Sequence, residues 1–148
     1  MPQIPDYIQT LQTQFEAETQ PFKKVHRLID LCEAVIKFHT VVILSNFMES
    51  MAKNTHSQED IATARGILAQ GLKTPSLGIW AFFTEKIFPL IPGEDLFWED
   101  FPAYFEKTLK RASAEIIPFR NSYAHGSTPD DKECLADIQK ILPHLDKI

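Results

Sequence analysis

The feature that most constrains the fold is a long apolar stripe between Pro21 and Met51. Its members recur at intervals of three and four residues, as on one face of an α-helix: Val25, Leu28, Ile29, Cys32, Val35, Ile36, His39, Val42 and Ile43. Pro21 suits the first turn, where a backbone N–H is not needed. A helix of about 30 residues would be about 45 Å long. Other helices must cover it, which predicts an all-α helical bundle.

The rest of the chain divides into shorter helical patterns separated by turn residues. We predict these helices at about 7–15, 57–70, 74–88, 101–124 and 128–145. The predicted architecture is therefore a bundle of about four to six helices with a long first helix. It occupies residues 21–148, and residues 1–20 are an N-terminal extension.

Three of the predicted helix starts carry recognisable capping residues. Ser57, with an acidic residue three positions later at Asp60, resembles a capping box. Thr74 and Thr128 are each followed by a proline and are predicted to cap the next two helix starts. These local signals fix where the predicted helices begin.

Composition narrows the class of protein. A length of 148 residues suits one domain, and a net charge of -5 argues against a dedicated duplex-DNA binder. Cys32 and Cys134 lie far apart in helical contexts, which favours reduced thiols over a disulfide or a metal pair. No secretory signal is visible, and the apolar stretch Val35–Phe47 is too short and too polar to span a bilayer. We therefore expect a cytoplasmic protein without a membrane segment.

The segment 118–126 is the most informative part of the chain for function. It reads PFRNSYAHG and brings Arg120, Asn121 and His125 to the end of the predicted motif helix, which Gly126 terminates. Arg120 and His125 are five residues apart, a net rotation of about 140° around an ideal helix, whereas Asn121 and His125 share a face. Pro118 lies inside the pattern and is predicted to kink the helix.

This segment resembles the signature of HEPN domains, which is Arg-Asn, three further residues and His at the end of a long helix. The local form RNSYAHG is similar to the common R-N-x-x-A-H-G variant of that family. The resemblance implies a homodimer that joins two copies of the motif in one cleft and cleaves RNA without a metal. Carried over, Arg120 would stabilise the phosphate, His125 would act as the acid or base, and Asn121 would position them.

The resemblance also implies alternatives that the sequence leaves open. The first is a metal-independent endoribonuclease of toxin or defence type, whose partner would be an antitoxin. The second is a non-catalytic dimerisation or sensor module fused to a downstream domain. A third is a purely structural cluster, in which Arg120 pairs with Glu115 or Asp130. The generous aromatic content favours a homodimer, and no cofactor or metal is expected, because no glycine-rich phosphate loop or Cys/His metal spacing is present.

Two charged clusters are weaker candidates. Lys107, Lys110 and Arg111 form a basic run that is either a solvated face or an RNA path. The second cluster places four acidic residues around two aromatic ones: Glu94, Asp95, Glu99 and Asp100 with Phe97 and Trp98. It is predicted to be a solvated loop or helix start, with a partner-docking patch as the alternative.

Overall fold

A computed structural model of the chain describes residues 5–53, 56–74, 76–126 and 128–148, and within these ranges it contains helices and no strand. The helices are α1 (Asp6–Ala17), α2 (Pro21–Ala52), α3 (Gln58–Gly71), α4 (Leu77–Ile87), α5 (Phe101–Tyr104), α6 (Lys110–Ala124) and α7 (Asp131–Leu145). Short 3₁₀ turns lie at Phe88–Leu90 and Gly93–Asp95, and a π turn at Phe105–Leu109 joins α5 to α6. The predicted all-α fold, including the long helix from Pro21, is confirmed. No helix in the described ranges is long and apolar enough to cross a membrane.

The chain divides into two compact units. Residues up to Val35 form the first unit together with Thr108–Ile148. In this unit α6 packs against α7. Helix α1, within the segment predicted as an extension, buries Ile8 and Phe15. That segment therefore contributes to the apolar interior of the first unit, while the boundary at residue 20 stays a prediction.

The second unit comprises Ile36–Lys107. Within it α3 packs against α4. Thr40 of α2 is fully buried, and its Oγ1 lies 2.9 Å from both the carbonyl oxygen of Trp80 and the Oγ1 of Thr84 on α4. A buried hydroxyl is costly unless it is hydrogen-bonded, so this contact fixes how α2 and α4 pair.

The helix starts show which capping signals act. The Ser57 capping box is confirmed, because Ser57 Oγ accepts from the Asp60 N–H and the Asp60 carboxylate accepts from the Ser57 N–H. The hydrogen bonds from Ser57 lower the pKa of Asp60. The predicted Thr74 cap is wrong: Ser76 caps α4 by accepting from the Ile79 N–H, and Pro75 lies outside the described residues.

The predicted Thr128 cap is also wrong. Asp130 is the N-cap of α7 and forms a reciprocal capping box with Glu133, with N···O distances of 2.8 and 2.9 Å. Two carboxylates at a helix N-terminus also interact favourably with the helix dipole. The helix therefore begins at Asp131, immediately after this cap.

Two glycines of α3 are expected to respond in opposite directions to alanine. A Cβ at Gly71 would lie closer than 3.0 Å to ring carbons of Phe83 and to Ile79 Cγ2, whereas a Cβ at Gly66 would meet nothing within 4 Å. Gly66→Ala should raise the free energy of unfolding by about 0.5–1 kcal/mol through helix propensity. Gly71→Ala should lower it by about 1–3 kcal/mol through overpacking. Urea denaturation of both variants tests this, and equal shifts would contradict the α3–α4 packing.

The Cys32 thiol gives a prediction for alkaline pH. Cys32 and Cys134 are buried free thiols, and burial raises the pKa of Cys32 from its usual 9.0 to about 12. Between these values the unfolded chain loses the thiol proton while the folded chain keeps it, so stability present below pH 9 is lost as the pH rises. We expect the free energy of unfolding to fall about 1.4 kcal/mol per pH unit more steeply in the wild type than in Cys32→Ala. Urea titrations across this pH range measure both slopes, and equal slopes would refute it.

Candidate functional site

The C-terminal end of α6 places the motif at a sharp change of chain direction. Helix α6 includes Pro118 and continues to Ala124, and the predicted kink at Pro118 stays a prediction. The predicted helix 101–124 is interrupted by the π turn at Phe105–Leu109, which precedes α6. His125 is the C-cap residue, and its backbone N–H donates to the carbonyl oxygen of Asn121 over 3.3 Å. Gly126 follows with φ +85°, a conformation that favours glycine. The prediction that Gly126 ends the motif helix is confirmed.

Arg120 forms an ion pair with Glu33 of α2, inside the first unit. Its Nε donates to Glu33 Oε1 over 2.9 Å. The Arg120 side chain is 32% exposed to solvent and the Glu33 side chain 22%. The suggested partners Glu115 and Asp130 are wrong, because Glu115 pairs with Lys140 at 3.6 Å and Asp130 caps α7. The ion pair aims the guanidinium towards α2.

Asn121 lies beside the guanidinium on the solvent side of α6. Arg120 Nη1 lies 3.5 Å from Asn121 Oδ1, which is at the weak limit for a hydrogen bond. A guanidinium has five N–H donors, and the others have no hydrogen-bond partner among the described residues. The exposed part of Arg120 can therefore still bind an anion.

His125 is exposed, and within the described ranges its imidazole makes no hydrogen bond. On an ideal helix, five residues separate Arg120 and His125 by about 140°, and Arg120 pairs with Glu33 of α2. The three motif residues therefore share one helix end, where among the described residues Arg120 donates to Glu33 and Asn121 and not to His125.

Tyr123, two residues before the C-cap of α6, connects this end of the helix to α7. Tyr123 is buried, and its hydroxyl donates to Asp137 Oδ2 of α7 over 2.8 Å. Burial, and then the hydrogen bond to Asp137, raise the pKa of Tyr123, which keeps it a protonated donor. The Phe119 ring packs against Tyr123 at 5.3 Å between centroids. The hydrogen bond from Tyr123 to Asp137 joins the last turn of α6, which carries the motif residues, to α7.

A shallow groove of about 240 Å³ runs along the same end of α6 and faces α7. Ser122, on the turn of α6 that leads to His125, lines it together with Pro118 and with Asp137 and Lys140 of α7. Sequence reasoning missed Glu33 and Asp137, because nothing near them in sequence marks a partner for Arg120 or Tyr123. Acidic residues at helical spacing are ordinarily read as a solvated face.

The described ranges contain no group of three or more His, Cys, Asp or Glu side chains that could hold a metal ion. No family model, no curated protein and no solved structure matches the chain. The candidate site therefore rests on the motif residues and their contacts.

The Glu33–Arg120 pair is expected to contribute measurably to stability. Glu33→Gln keeps the shape but removes the charge, so we expect the free energy of unfolding to fall by about 1 kcal/mol. The matched control is Asp30→Asn on the same helix, because Asp30 pairs with Arg27 at 3.9 Å between largely exposed side chains. That variant should change stability by less than about 0.5 kcal/mol. Similar losses in the two variants, measured by urea denaturation, would contradict a special role for Glu33.

Proposed function

We propose that this chain is a HEPN-like domain that cleaves RNA as a homodimer, without a metal. The observation that carries the proposal is the motif end of α6, where His125 is exposed, Asn121 lies beside the guanidinium, and Arg120 is held in place yet still one-third exposed. None of the three side chains is buried in the apolar core. A cluster of exposed groups of this chemistry, on a rigid helix end, suits catalysis better than packing.

The chemistry assigns one role to each residue. The imidazole of His125 takes the proton of the ribose 2′-hydroxyl or supplies the proton to the departing 5′-oxygen, since an imidazole can act as a general base or a general acid. The 2′-oxygen bonds to phosphorus as the bond to the 5′-oxygen breaks, which leaves a 2′,3′-cyclic phosphate and a 5′-hydroxyl. The guanidinium of Arg120 binds the phosphate oxygens. Asn121 orients the guanidinium through its side-chain oxygen.

The angular separation of Arg120 and His125 supports the dimeric form of the proposal. Within one protomer Arg120 is directed at Glu33, and His125 lies at the cap five residues later, a step that on an ideal helix is about 140° of rotation. A second copy that packs against this helix end would bring its own His125 or Arg120 to the same phosphate. Two motifs in one cleft would then supply the cation and the acid–base group together.

The test is RNA cleavage by the purified protein in the presence of EDTA, with the oligomeric state measured by sedimentation. We expect a dimer that cleaves RNA and leaves 2′,3′-cyclic phosphate ends, and an Arg120→Ala/His125→Ala double variant that is folded but inactive. Cleavage by the double variant at the wild-type rate would refute the assignment of these residues. Products that carry 3′-hydroxyl ends would refute the mechanism.

The Glu33 contact favours a second candidate, a non-catalytic HEPN-like dimerisation or sensor module of a larger signalling or defence protein. Glu33 already neutralises Arg120, so an RNA phosphate must compete with a carboxylate at 2.9 Å. In this role the pair would stabilise the motif helix for assembly. A stable dimer that cleaves none of a broad set of RNAs, and that dissociates in Glu33→Gln, would support this module over the nuclease.

A further inference from the structure

The second unit exposes two neighbouring aromatic side chains in the loop of residues 93–100, here termed the acidic–aromatic loop. Phe97 is 55% exposed and Trp98 is 38% exposed. Trp98 is not loose: its ring lies 4.7 Å from that of Tyr104 and 5.8 Å from that of the buried Phe101. One side of the indole therefore packs on the unit, and the remainder is presented to solvent beside Phe97.

The acidic–aromatic loop also carries uncompensated negative charge. Between Lys86 and Lys107 the sequence contains five acidic residues and no Lys or Arg. Three of the carboxylates are exposed and form no ion pair with any residue that the structure describes: Glu94, Glu99 and Asp100. Negative charge therefore surrounds the two exposed rings.

The backbone of the acidic–aromatic loop is held firmly by α2. The Asn46 side chain donates to the carbonyl oxygen of Asp95 over 2.9 Å and accepts from the Phe97 N–H over 3.2 Å. The Asp95 carboxylate accepts from Ser50 Oγ over 2.8 Å and pairs with Lys53 at 2.9 Å. These contacts neutralise Asp95 and position the aromatic pair, so the exposure of Phe97 and Trp98 is a feature of the ordered loop.

We propose that the acidic–aromatic loop is a docking surface for a partner protein segment that is basic and carries an apolar anchor. Apolar side chains of the partner would cover Phe97 and Trp98, the residue types that dominate interface energetics. Lysine or arginine side chains would meet Glu94, Glu99 and Asp100, and would also contact the indole face. The charge of the loop selects this partner, since an acidic segment or a nucleic-acid backbone would be repelled.

The test uses the full chain with Trp80→Phe, which leaves Trp98 as the only tryptophan. The probe is a short Trp-free peptide with a central Leu–Leu pair flanked by lysines, and its control has glutamates in place of the lysines. We expect the lysine peptide to shift Trp98 emission to shorter wavelength and to bind more weakly as salt is raised. Phe97→Ala should weaken binding roughly tenfold or more, whereas Leu135→Ala, which removes an exposed side chain of α7, should not.

A charge-reversed variant keeps the proposal testable if Phe97→Ala disturbs folding. Glu94→Lys/Glu99→Lys changes only exposed side chains. This variant should no longer bind the lysine peptide and should instead bind the glutamate peptide. Equal binding of both peptides by the wild type, or no binding of either, would overturn the proposal. So would self-association that Phe97→Ala abolishes without any peptide binding, because the occupant would then be a second copy of the chain.

Discussion

Replacement of His125 by alanine is expected to lower the rate of RNA cleavage by roughly 10²- to 10⁴-fold, the usual contribution of a general acid or base. The imidazole is exposed and makes no hydrogen bond within the described ranges, so the same change should alter the free energy of unfolding by less than about 0.5 kcal/mol. This separation of activity from stability distinguishes a catalytic histidine from a structural one.

The matched control for this experiment is His144→Ala, because His144 lies in the last turn of α7, away from the motif turn in sequence. Cleavage by this variant should equal that of the wild type. Single-turnover cleavage of one labelled RNA, measured with enzyme in excess, compares the variants directly. Equal losses in both histidine variants, or no loss in His125→Ala, would show that His125 is not the acid or base.

The Phe101→Ala variant is expected to lower the free energy of unfolding by about 3–5 kcal/mol, the usual cost of deleting a buried phenyl ring. Phe101 is 1% exposed, and its ring contacts those of Phe88 at 5.4 Å and Phe105 at 6.2 Å, in addition to Trp98. Loss of the ring leaves a cavity at the centre of an aromatic cluster. The cost is large because several rings lose a partner at once.

Phe97→Ala is the matched control for Phe101→Ala, since the two residues belong to one aromatic cluster but Phe97 is more than half exposed. Its removal should cost less than about 1 kcal/mol. Urea denaturation followed by circular dichroism gives both values. Comparable losses in the two variants would contradict the assignment of Phe101 to the core and Phe97 to the surface.

Much of the helical structure could be predicted because its signals are local. The spacing of apolar residues located α2 within one residue of its end, and the Ser57–Asp60 pair marked the start of α3. Local signals failed where two of them competed. Thr128 with Asp131, and Asp130 with Glu133, both have the spacing of a capping box, and the structure uses the second pair.

The candidate site was predictable as a set of residues but not as an arrangement. Arg120, Asn121 and His125 stand out in sequence because their order and spacing resemble the HEPN signature. The partner of Arg120 could not be found in the same way, since Glu33 lies on a distant helix and looks like any solvated acid. Asp137, the acceptor for Tyr123, was missed for the same reason.

The sequence by itself determined the all-α class, helix α2, the start of α3, the end of α6 at Gly126 and the residues that stand there. Helical periodicity, capping and a positive φ depend on neighbours within a few positions along the chain. The tertiary structure alone decided that Glu33 holds Arg120, that Asp137 holds Tyr123, and that Phe97 and Trp98 stay exposed while Phe101 is buried. Such pairings depend on which helix faces pack together. The paired residues are far apart along the chain, so no local sequence pattern identifies one as the partner of the other.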